Sequence, residues 1–139
     1  MPLYHATVRP GILSPTQRQS FAGAVVDVHC RVTGAPPSFV HVIVSDDDAR
    51  SLPEDRAADI VGTIRAGRTD DQKDDIARGL GAALAVRAGV DVDAVTTSIV
   101  DIEASFTMEA GVLLPEPGSA AEQEWMTHGS SDVVDPAET

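Results

Sequence analysis

The stretch Asp59-Ile-Val-Gly-Thr-Ile-Arg65-Ala-Gly-Arg68-Thr69-Asp-Asp-Gln72 changes periodicity partway along, and that change decides the fold. Its first seven residues are rich in β-branched side chains and read as a strand, Asp59–Arg65. Gly67 marks a turn, and Thr69 followed three residues later by Gln72 forms a capping box that opens a helix. Ile76, Leu80, Ala83 and Leu84 then recur at helical spacing, Gly89 supplies the stop, and Val95–Ile102 reads as a second strand.

The same punctuation occurs earlier in the chain. Leu3–Val8 alternates like a strand, Pro10 and Gly11 turn, and Ser14 with Gln17 makes a first capping box with Pro15 at the first helical position. Phe21, Val25, Val28 and Val32 form its apolar stripe, Gly34 ends it, and Pro36-Pro37 launches a strand at Phe39–Val44. The caps Ser14 and Thr69 are 55 residues apart, as are Gly34 and Gly89, while Arg9 and Arg65, and Phe39 and Val95, are 56 apart. These coincidences predict a duplicated β-α-β chain, with units over about 2–45 and 59–104 in a single domain spanning 1–127. Helical crossovers require parallel strands within each unit, connected right-handedly. The expected result is an α/β (α+β) fold with a four-stranded sheet and two helices on one face.

Ser45–Ala58 reads as an exposed acidic linker, and Thr107–Leu114 as a short strand or hairpin around Gly111. Pro115 and Pro117 are expected to end regular structure. Trp125, the only tryptophan, is expected to pin the tail, and residues 128–139 read as disordered from the composition after Gly129.

Composition narrows the function. A chain of 139 residues with 42% hydrophobic and 4% aromatic residues has a small aliphatic core. A net charge of −12, with Lys73 the only lysine, argues against nucleic acid or an anionic membrane as partner. Cys30 stands alone, so neither an internal disulfide nor a thiolate cluster forms, and His5, His29, His41 and His128 lack ligand spacing. No metal is expected. With no apolar run near 18 residues and no signal segment, the chain reads as cytoplasmic.

Four places carry chemistry. Pro2 is small enough that removal of Met1 is expected, which leaves a secondary amine with a reference pKa near about 8, poised for proton transfer. Arg65 and Arg68 flank Gly67 at a strand-to-helix turn, where planar guanidinium forks and helix amides both favour a carboxylate. On residue type alone His29 is a core or helix-end histidine, and Glu109 a loop carboxylate among 22 acids.

Pro2, His29, Arg65-Ala-Gly-Arg68, Glu109-Ala-Gly, Leu114-Pro-Glu-Pro-Gly118 and Trp125, in this order on a duplicated β-α-β chain, resemble the tautomerase superfamily. The closer likeness is to the group around cis-3-chloroacrylic acid dehalogenase, over about Pro2 to Trp125. The resemblance implies that Pro2 is the catalytic proline and that Arg65 and Arg68 hold a substrate carboxylate assisted by His29. It also implies that Glu109 activates water, that no cofactor is needed, and that the protein is a homotrimer. Where the dehalogenase has a tyrosine, eleven residues before the glutamate, this chain has Ser98, a shorter and less acidic hydroxyl. Proton transfer on a small carboxylate is therefore expected, most simply keto–enol tautomerisation of a 2-oxo acid such as phenylpyruvate. The alternatives are hydration or hydrolytic dehalogenation of short unsaturated acids, and a non-catalytic trimeric binding protein.

Overall fold

In the computed structural model, which describes residues 1–47 and 49–131, the repeat stands as β1 (Leu3–Val8), α1 (Pro15–Thr33) and β2 (His41–Ser45), then β3 (Ala58–Arg65), α2 (Asp70–Ala88) and β4 (Val95–Ile102). Both capping boxes form as expected: Ser14 and Thr69 accept from the backbones of Gln17 and Gln72, whose side chains reach back to the cap residues. Gly34 (φ 76°) and Gly89 (φ 68°) close the helices in the left-handed region, which glycine enters without a Cβ clash.

The capping glutamines also tie the two helices together. Gln17 Nε2 donates to the carbonyl of Arg87 in the last turn of α2 (3.1 Å), and Gln72 Nε2 to that of Val32 in the last turn of α1 (3.4 Å). Each helix therefore starts where the other ends. The antiparallel pair sets opposite ends of two helix dipoles side by side.

The four-stranded sheet has the order β2-β1-β3-β4. Pairing is parallel within each unit, as the crossovers require, and antiparallel where the units meet along β1 and β3. The helices cover one face. Phe21, Val25, Val28, Ile76, Leu80 and Leu84 from the helices meet Tyr4, Ala6, Val8, Ala58, Ile60 and Ile64 from the sheet; Val32 and Ala83 lie at the margin, partly buried. The opposite face, carrying Leu3, His5, Val61, Ile43 and Val100, is uncovered, with Ile43 47% and Val100 43% exposed.

Three expectations needed correction. Phe39 does not begin the second strand: Pro37–Phe39 is a 3-10 turn closed by bonds from Phe39 and Val40 to the Pro36 and Pro37 carbonyls, and β2 starts at His41. The 45–58 linker is not uniformly exposed. Ala49 and Leu52 are buried there, because Arg9 reaches across to the carbonyls of Ala49, Leu52, Pro53 and Arg56 and folds the segment down. Regular structure also resumes after the prolines. A hairpin of β5 (Met108–Glu109) and β6 (Val112–Leu113), turning at Gly111 as expected, is followed by α3 (Ala120–Ser131). This helix runs past Gly129, and the rest of the expected disordered tail, 132–139, lies outside the described residues. Among the described residues no helix is long and apolar enough to cross a membrane.

Candidate active site

Antiparallel pairing of β1 with β3 places the start of one strand beside the end of the other, Leu3 opposite Thr63. Pro2 is thereby brought next to Ile64 and Arg65, buried, with its carbonyl accepting from the His41 amide at 3.0 Å. Pro2 and Met1 line a small cavity of about 10 Å³ with His29, Arg65, Arg68 and Trp125. Glu109 closes the same corner. Its carboxylate accepts from the terminal ammonium of Met1 and from Trp125 Nε1 at 3.4 Å. All five residues expected from the sequence thus converge. Ser98 does not join them: it pairs with Val61, which pairs with His5, and it is exposed on the uncovered sheet face.

The two arginines differ in what they are free to do. Arg65 is buried; it donates from Nη1 to the Pro115 carbonyl at 2.6 Å and from Nη2 to Glu122, and it lies 4.9 Å from the centre of the Trp125 ring. Arg68 is half-buried and, among the described residues, forms no hydrogen bond or ion pair. Burial, then the like charge of Arg65, lower its pKa, although an arginine remains cationic at neutral pH. Arg68 is the open cation of the site.

His29 is 3% exposed, and its Nδ1 lies 2.6 Å from the Tyr4 hydroxyl. Burial pushes the Tyr4 pKa up against the opposing pull of Arg68, so the phenol keeps its proton, and because Nδ1 is its only hydrogen-bond partner among the described residues the hydroxyl is assigned as the donor. The neutral imidazole then carries its own hydrogen on Nε2. Burial, then Arg68, then the terminal amine bring the His29 pKa down from 6.5 to about 4. The unfolded chain therefore takes up this proton first. The stabilisation is fully present above pH 6.5 and is lost as pH falls toward 4, on the order of 3 kcal/mol in all. Denaturant titrations between pH 7 and 4 should show this loss, and His29→Gln should flatten it; an equal slope in the variant would contradict the assignment.

Two contributors were missed in the sequence. Glu122 and α3 were signalled by Ser119-Ala-Ala-Glu122, a third capping-box pattern, and Ser119 Oγ does accept from the Glu122 amide at 3.2 Å. The Glu122 side chain, however, leaves the cap and turns to Arg65 and to the Gly118 amide (3.1 Å). Its pKa is raised by burial but brought below the ordinary value by Gly118 and the two arginines. Trp125 pins the tail as expected, stacking on Phe39 with ring centres 4.2 Å apart. Gly67 (φ 119°) explains why the Arg65-Ala-Gly-Arg68 and Leu114–Gly118 motifs occur together. A Cβ there would lie 2.6 Å from Pro117 Cγ, so only glycine lets the C-terminal segment seat on the arginine turn.

A buried proline at the start of an interior strand of a duplicated β-α-β sheet thus stands beside two arginines, with a carboxylate at the chain terminus. A family model described as "Putative oxalocrotonate tautomerase enzyme" matches residues 1–130, and the chain belongs to this tautomerase family. Among solved structures, it is similar to N1, a member of the cis-3-chloroacrylic acid dehalogenase family, at 28% identity and TM-score 0.77 over 93% of this chain and 99% of that one. Native Ps01740 is 37% identical, with TM-score 0.70 over 77% of this chain and 99% of that one. A fused 4-OT solved as a symmetric trimer, 23% identical, shares the fold with TM-score 0.72 over 81% of this chain and 94% of that one. No curated protein matches in sequence.

Proposed function

We propose that this chain is an enzyme that moves protons on small carboxylates, most simply the keto–enol tautomerisation of a 2-oxo acid such as phenylpyruvate. The observation that carries this reading is the unpaired guanidinium of Arg68 beside buried Pro2 and a neutral His29. With Met1 in place the cavity, about 10 Å³, holds roughly one water. Removal of Met1 vacates the volume its residue fills and exposes the secondary amine of Pro2. Arg68 and the Nε2–H of His29 receive the carboxylate. The positive charge of Arg68 also favours the neutral form of the nearby amine. Pro2 takes the enol hydroxyl proton and returns it to C3, serving in turn as base and acid, with no net proton consumed.

Glu109, at the terminal amine, supports a second reading in which it prepares a water for addition to a short unsaturated acid. That chemistry needs Pro2 protonated at the start and a further group to hold the water. Within this chain Ser98 is on the uncovered sheet face. The apolar residues of that face, together with exposed Phe106 and Met108, favour a homotrimer in which neighbouring copies complete the pocket walls. The trimeric state of the fused 4-OT relative agrees with this.

The test is turnover of phenylpyruvate enol and of both 3-chloroacrylate isomers, followed by NMR. The expected kcat/KM is clearly larger for the enol than for cis-3-chloroacrylate. An equal or larger dehalogenase value would establish the second reading instead, and inertness toward every acid would leave a binding protein.

A further inference from the structure

The cavity holds two arginines, but among the described residues only one of them is a free cation, because α3 brings a carboxylate of its own. Glu122 accepts from Arg65 through Oε2 and from the Gly118 amide through Oε1, so both of its oxygens are engaged. The other terminal nitrogen of Arg65 is engaged by the Pro115 carbonyl, and the guanidinium lies over Trp125. The partners are themselves fixed. Pro115 and Gly118 belong to the segment seated on Gly67, and Trp125 is stacked on Phe39. Arg65 is thus built into the wall rather than extended to a ligand.

We propose that Glu122 determines specificity by standing permanently where a second substrate carboxylate would otherwise bind, so that the pocket accepts monocarboxylates and rejects dicarboxylates. The proposal rests on the carboxylate pocket described under Proposed function and deepens it. A monocarboxylate finds Arg68 unpaired, with His29 beside it. The second carboxylate of a dicarboxylate finds Arg65 neutralised and Glu122 next to it, so it must shed its hydration with no further unpaired guanidinium among the described residues to meet it. Like charges confined in a partly desolvated site repel far more strongly than in water.

Equilibrium binding of (E)-but-2-enoate and fumarate tests this without requiring turnover, since the two acids share a carbon skeleton and differ by a methyl against a carboxylate. The natural protein should bind but-2-enoate at least tenfold more tightly than fumarate. Glu122→Gln keeps the side chain's size and its acceptor for Gly118 while removing the charge. It should narrow that ratio at least tenfold, chiefly through tighter fumarate binding, with an unchanged circular dichroism spectrum. The comparison on the natural protein stands even if the variant misfolds: fumarate bound as tightly as but-2-enoate overturns the proposal. An unchanged ratio in a folded Glu122→Gln variant overturns it too, and if Arg68→Ala still abolishes but-2-enoate binding, the carboxylate pocket itself survives. Loss of neither acid in Arg68→Ala would remove both the pocket and the role given to Glu122.

Discussion

Replacing Pro2 by alanine should lower kcat/KM for phenylpyruvate enol by about 10²-fold or more, the range expected when a positioned acid–base group is lost. The substitution is informative because it leaves so much in place. Alanine is also small enough for removal of Met1, so the variant still begins with an amine at the same position in the chain. What disappears is the secondary amine, with its ring-fixed φ and higher basicity, and the shape that keeps it buried against Ile64 and Arg65. The core under β1, formed by Tyr4, Ala6 and Val8, is untouched, so the melting transition should barely move. Steady-state kinetics with a parallel thermal melt checks both statements. Near-normal turnover in a folded variant would show that any terminal amine, or none, suffices.

The second large effect separates the two arginines. Arg68→Ala should lower kcat/KM by about 10- to 100-fold, corresponding to roughly 1.5–3 kcal/mol for one lost charge-assisted hydrogen bond, and should change stability little because, among the described residues, Arg68 forms no hydrogen bond or ion pair. Arg65→Ala should do the reverse first. It leaves the partly buried Glu122 carboxylate without its cation, a loss of about 1.5–3 kcal/mol for a charged hydrogen bond, and it loosens α3 from the turn. Kinetics and denaturant unfolding on both variants distinguish them. Equal stability losses would show that Arg68 is also structural.

These different roles were only partly legible in the chain. Local rules sufficed for the repeat: capping boxes, glycine stops and apolar spacing are short-range signals, and their recurrence determined both units and the parallel pairing within each. Convergence of Pro2, His29, Arg65, Arg68 and Glu109 was legible through the family's motif order, not through spacing, since Glu109 meets the terminus across 108 residues of chain. What stayed hidden depended on long-range partners. Arg9 folding down the 45–58 segment could not be seen locally, because its acceptors are backbone carbonyls that any sequence offers. Glu122 was one acid among 22, and the prolines just before its capping box suggested an end to structure rather than a new helix. Phe39 scans as a strand residue, yet Pro36 and Pro37 hold it in a turn where Trp125 can stack on it.

The central claim is that the reacting base is the freed secondary amine of Pro2. In the chain with Met1 attached that nitrogen is a tertiary amide without basicity, so the two forms differ in the one property that matters. Intact-mass analysis of the purified protein, with turnover of phenylpyruvate enol measured on the same sample, tests this most directly. Active protein should have the mass of a chain beginning at Pro2, with activity proportional to the processed fraction. Full activity in a sample that uniformly retains Met1 would contradict the account.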